Sequence, residues 1–232
     1  MEFKFLFYFY QVLCVIVFFE VLFNIRKNSL LKICFLLMIS SLFVMNYFSC
    51  VSVVSRLQFV LIKTMRIVYI GSTMLAIIRM VTPKIPNWII VFISLSVFFL
   101  AGLRIFYFNE IDIESQSVLS NQVFSVGQEF YNPVPILRYT VLCLVAAAAG
   151  LTFFYYRQFF IRMNKENTHY LQLSRWIISM VVPFFLLIIF GVLGFMNVFH
   201  KSISPLLFSF FSCIIILSIL FRPKFLNNPQ IG

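Results

Sequence analysis

Lys63 and Arg66 are the residues whose placement points most directly to chemistry. They stand three apart inside an apolar run at 57–79, so a helix there carries both on one face. Charge within a membrane-spanning run is expensive and usually faces a cavity or a partner. Two cations on one face would make a pocket for an anionic ligand or a lipid headgroup. The plainer alternative is that Lys63, about 9 Å inside the run, snorkels to the interface, while Arg66 lies deeper. Glu20 is an acid inside a second run, 5–23. It lies about one turn from Arg26 and Lys27, which favours a structural ion pair there; proton coupling is the other reading. Arg104 and Arg138 flank the stretch 109–135, which holds Glu110, Asp112, Glu114 and Glu129. They join Lys63 and Arg66 as candidate ligand-binding cations. That stretch is either a lid or a solvated connection.

Other residues are devices of packing. Ala146 and Gly150 form a small-xxx-small pair that lets another helix approach closely. Pro183 should kink its helix, and Gly191 and Gly194 thin it further along. Together these are a hinge or a close-packing seam. Catalytic constellations do not emerge. His169 and His200 fall in different loops, and there is no HExxH, GxSxG, phosphate loop or zinc spacing. Cys14, Cys34, Cys50, Cys143 and Cys213 lie in or beside apolar runs without pairing motifs, as small core residues do. No metal and no cofactor is expected, and an enzyme acting on lipid ranks last among the functional classes.

The elements that must position these residues follow from composition. Of 232 residues, 62% are hydrophobic and 11% charged, against roughly 45–50% and about 25% in soluble domains. Such a chain lacks the polar surface that water requires. Its apolar runs are about twice the length of a barrel strand and do not alternate, which excludes a β-barrel. Seven runs emerge, at about 5–23, 30–54, 57–79, 88–108, 136–156, 176–198 and 204–221, each near the ~20 residues that cross a bilayer. The expectation is an all-α polytopic bundle of seven transmembrane helices forming a single domain. Pro83 and Pro86 separate the third and fourth runs, and Pro133 and Pro135 precede the fifth. The second and third runs are so close that 30–79 reads either as two spans or as one bent helix.

Orientation comes from the basic residues. Arg26, Lys27, Lys32, Arg79, Lys84, Arg157, Arg162, Lys165, Arg175, Arg222 and Lys224 fall on one side of a seven-span chain, against Lys4, Arg56, Arg104, Arg138 and Lys201 on the other. The positive-inside rule puts the N-terminus outside and the C-terminus in the cytosol. The net charge of +11 then reflects topology and attraction to anionic lipid, with no direct nucleic-acid binding by this chain. The expected location is the cell membrane, as a multi-pass protein of the bacterial inner membrane.

The last run ends Phe221, Arg222, Pro223, Lys224, Phe225, Leu226. An apolar helix entering this aromatic–basic–Pro–Lys–aliphatic turn resembles the membrane module of bacterial AraC-type helix-turn-helix regulators. The resemblance covers about a dozen residues. It implies a membrane bundle preceding a cytosolic DNA-binding domain, which the residues after Phe221 are too few to form. Function is therefore expected to be that of a receptor-like sensor or anchor module without its own output domain. A cytosolic or fused partner would be met through the basic stretch 157–175 or the tail. The alternative is a small transporter or permease subunit, with Lys63, Arg66 and Glu20 lining a path.

Overall fold

The computed structural model describes residues 2–25, 28–49, 56–82, 85–106, 133–162, 168–195 and 203–222. Seven α-helices and no strands occur among them: α1 (Glu2–Asn24), α2 (Ser29–Ser49), α3 (Arg56–Val81), α4 (Asn87–Phe106), α5 (Pro133–Arg162), α6 (Thr168–Phe195) and α7 (Ile203–Leu220). Two stretches, Thr64–Val81 and Leu171–Ile189, are long and apolar enough to cross a membrane; Tyr8–Asn24, Ser29–Met45, Asn87–Leu103 and Phe210–Leu220 are shorter apolar stretches.

The question of 30–79 resolves into two helices. The largest helix–helix interface is that of α2 with α3. The pair is antiparallel: Arg79 Nε donates to Asn28 Oδ1 at 3.3 Å near one end, and Thr73 Oγ1 meets Met38 Sδ at 2.9 Å further in. The fifth run departs from its expected bounds. Instead of stopping short of Pro133 and Pro135, α5 begins at Pro133. The first turn of a helix has no intrahelical use for its N–H groups, so proline is tolerated there. At their other ends α5 runs on to Arg162 and α6 begins at Thr168, both beyond the apolar runs. No glycine or proline interrupts this part of the chain, so the backbone ladder continues past the hydrophobic limit.

The core is apolar but the outer faces are too. Val17, Val21, Phe35, Met38, Tyr69, Ile77, Ile177, Phe184 and Ile216 are buried, while Phe9, Phe19, Phe23, Trp88, Phe98, Phe106, Phe153 and Phe210 face outward. Phe98 is 74% exposed on α4. Small hydroxyls occupy the inside instead: Ser41, Ser72, Thr73, Thr152, Ser174, Ser212 and Ser218 are all buried. Most of those with described bonds return their proton to their own helix. Ser41 Oγ donates to the Leu37 carbonyl, Thr73 Oγ1 to that of Tyr69 and Ser218 Oγ to that of Ile214. This satisfies a buried hydroxyl without a second chain segment.

Candidate functional site

Glu20 has a different partner from the one its neighbours in sequence offered. Arg222, just beyond α7, holds the Glu20 carboxylate with both terminal nitrogens: Nη1 donates to Oε2, and Nη2 to Oε1 at 2.9 Å. Asn24 Nδ2 adds a third donor to Oε1 at 2.9 Å. The two-pronged match of guanidinium and carboxylate is geometrically selective. The Arg222 side chain is 2% exposed and that of Glu20 26%. Arg26 and Lys27 lie outside the described residues. The pair joins the end of α1 to the end of α7, 202 positions apart in the chain.

The same Arg222 caps α7. Its Nη1 donates to the Ile219 carbonyl at 3.2 Å. The indole Nε1 of Trp176 on α6 donates to the Ser218 carbonyl at 2.5 Å. The last carbonyls of a helix lack intrahelical donors, and here side chains from two directions supply them.

Pro183 sits buried within α6, which continues through it. Proline has no N–H, so the carbonyl four residues earlier, that of Ser179, is released. Ser218 Oγ of α7 points at this carbonyl at 3.3 Å, sharing its proton with the Ile214 carbonyl at 2.8 Å. The seam between α6 and α7 thus repairs the break that Pro183 makes. Ser218→Ala should destabilise the purified chain by about 1 kcal/mol, the ordinary worth of one hydrogen bond. In a Pro183→Ala background the same substitution should have almost no effect, because the new backbone N–H can serve Ser179. Thermal melts of the four proteins check this coupling.

Arg66 lies on α3 with an exposed side chain. Lys63, Arg104 and Arg138 are on α3, α4 and α5, but their side chains lie outside the described residues, as do Glu110, Asp112, Glu114 and Glu129. The structure therefore brings none of the other expected cations to Arg66 among the described side chains. Below Arg66, Tyr69 and Thr73 continue its face, wholly or almost wholly buried. Ser212 of α7 faces the phenol of Tyr69, and also that of Tyr10 on α1.

No family model matches the chain, and neither a characterised protein nor a solved structure is significantly similar to it.

The small residues singled out in sequence behave unequally. Ala146 and Gly150 on α5 are exposed, and nothing lies within 4 Å of where a Gly150 side chain would begin. No described helix of this chain uses them for close approach. Gly191 and Gly194 belong to α6, with surroundings outside the described residues. The close approach occurs instead at Gly71 on α3, where a Cβ would stand 2.7 Å from Val97 Cγ2 of α4. Gly71 has no small partner four residues away, so the small-xxx-small pattern could not find it. Tyr10, Tyr69, Ser212 and Ser218 carry no signal in the sequence, because each lies among apolar neighbours; Trp176, whose place at the start of its apolar run suggests a ring in the headgroup layer, is instead buried against α7.

Proposed function

We propose that the chain is a seven-span membrane sensor or anchor module, N-terminus outside and C-terminus in the cytosol, which reports the packing of its helices through its tail. The observation that carries this reading is the buried Arg222–Glu20 pair. It ties the second residue after the last helix to α1, so a shift of α1 against α7 must move the start of the tail. A ligand produces such a shift if it binds two packings with different affinity.

Three further features support the reading. Large apolar side chains cover the outer faces of α1, α4 and α5 while hydroxyls and the ion pair lie inside, the distribution expected where lipid is the solvent. Lys32, Arg79, Arg157, Arg175 and Arg222 belong to the helix ends that this topology places in the cytosol, as the positive-inside rule requires. The resemblance of the chain's last residues to the membrane modules of AraC-type regulators points to the same architecture in a bacterial inner membrane. A partner domain would be reached through the tail or the ends of α5 and α6.

A transporter or permease subunit is the second reading, and the Arg66 cation within the apolar stretch Thr64–Val81 of α3 is what favours it. Glu20, held by Arg222 and Asn24, is withdrawn from such a path. Reporters active only in the cytosol or only outside, fused to each terminus, test the first reading. The expected result is an external N-terminus and a cytosolic C-terminus. Both termini on one side would overturn the seven-span sensor, and loss of uptake in Arg66→Ala with normal insertion would put the transporter in its place.

A further inference from the structure

The outer face of α5 stays apolar beyond the point where its apolar run stops. Phe153 and Phe154 precede Arg157, and Phe160 and Ile161 follow it, by three and four residues, so these side chains form one stripe of the helix. All are exposed, Ile161 by 71%. Water on this stripe would meet rings and aliphatic carbon, at a cost proportional to their area. Lipid tails along its whole length would meet an arginine in the middle, which is expensive there. The headgroup layer suits both kinds of side chain. From it an arginine reaches phosphate while its stem and the neighbouring rings keep apolar surroundings. Tyr156, whose ring centroid lies 6.4 Å from that of Phe160, is of the residue type that favours this layer.

Arg175 brings a second exposed cation to the same end of the bundle. It lies within about two turns of the start of α6, as Arg157 does of the end of α5. The two helices are neighbours, with the rings of Phe153 and Phe185 edge to face at 6.4 Å. Trp176, next to Arg175 in the chain, bonds to the end of α7, so this is also the end at which Glu20 and Arg222 meet. Acids do not balance the two exposed cations. Among the described residues the acid at this end is Glu20, and Arg222 and Asn24 already hold it. Neither Arg157 nor Arg175 forms an ion pair among the described residues. The face therefore offers uncompensated positive charge set within apolar side chains.

We propose that the exposed end of α5, with Arg157 at its centre and Arg175 of α6 as a second cation, binds the headgroup of an anionic phospholipid. The guanidinium fork matches phosphate oxygens with parallel N–H bonds, and the apolar members of the stripe accompany the adjoining part of the acyl chains. A zwitterionic lipid presents the same phosphate but carries its own cation, so net negative charge is what this face selects. The inference rests on the membrane-spanning part of the reading above and needs nothing of its sensing role.

Native mass spectrometry of the full chain tests it, with phosphatidylglycerol and phosphatidylcholine as separate probes. Wild type should retain phosphatidylglycerol the more tightly. Arg157→Gln and Arg175→Gln should each lower that retention by about fivefold, the worth of one cation near an anionic leaflet, and leave phosphatidylcholine unchanged. Arg157→Lys should keep most of the preference, since the charge remains. Ile161→Ser should weaken both lipids alike, because it removes apolar seating and no charge. A purely structural role for Arg157 would instead change both lipids in Arg157→Gln. Lys32→Gln, at the same end on α2, should leave phosphatidylglycerol retention unaltered; a loss there equal to that of Arg157→Gln means diffuse attraction to the leaflet and overturns the site. Equal retention of the two lipids by wild type overturns it as well, and poly-glutamate binding lost in Arg157→Gln would then assign the face to an acidic protein. Lipid retention is read without reference to which side each terminus occupies, so its failure is separate from failure of the topology test.

Discussion

Replacing Glu20 with alanine should destabilise the purified protein by about 2–3 kcal/mol, and more than replacing Arg222 does. The order follows from burial. Glu20→Ala leaves a guanidinium with 2% of its side chain exposed and takes away the carboxylate that both its terminal nitrogens hold. Removing one member of a fully buried pair typically costs about 3–5 kcal/mol. The expectation here is lower because 26% of the Glu20 side chain is accessible and solvent screens part of the attraction. Arg222→Ala leaves the carboxylate, which retains the Asn24 amide and can turn toward the surface. Glu20→Gln should fall between wild type and alanine, since the amide oxygen still accepts a bond. Thermal melts in lipid nanodiscs measure the single and double variants, and the double-mutant cycle should return a favourable coupling. The same substitution should speed tryptic cleavage at Lys224 in inside-out vesicles, because the start of the tail loses its anchor on α1. Additive single effects with unchanged cleavage would mean that the pair does not join α1 to the tail, and the sensor reading would lose its carrying observation.

Gly71→Leu should destabilise the bundle by about 1–3 kcal/mol, the range for forcing bulk into a packed interior. Even the first carbon of a side chain there would meet Val97 Cγ2 at 2.7 Å, with Ile93 Cγ2 at 3.6 Å beside it. Valine is β-branched and has little rotamer freedom in a helix, so α4 itself must give way. Val97→Ala should recover a large part of the loss. The same leucine at Gly150 makes the comparison, since open space surrounds that position; it should leave stability almost unchanged. Equal effects at the two glycines would contradict the α3–α4 packing. The contrast also explains why the small-residue pattern pointed elsewhere. Ala146 and Gly150 have the spacing that permits close approach, but permission is not contact, and only the arrangement of helices decides where two backbones meet.

The two hinge readings of Pro183 are likewise separated by a neighbour. Its sequence announces a missing backbone donor. Whether that leaves a flexible joint or a repaired one depends on Ser218, thirty-five positions away. The repair fixes α6 against α7 at the same level as the Trp176 cap, so this region acts as a seam between the two helices.

Composition and run length by themselves determined that this chain is helical and apolar, where most of its helices begin and end to within a few residues, with α5 and α6 running on past their apolar limits, and that charge is concentrated at alternate connections. These are local properties: backbone bonds within a helix span four residues, and hydropathy averages over about twenty. They also marked Glu20, Arg66 and Pro183, because each violates the local pattern of its own run. Tertiary structure alone decided what those violations meet. Glu20 meets Arg222 from the opposite end of the chain, and Pro183 is answered by Ser218. A pairing between distant residues depends on which helices are neighbours and in what register. That choice is made by packing summed over whole helix faces, and no single residue or spacing records it.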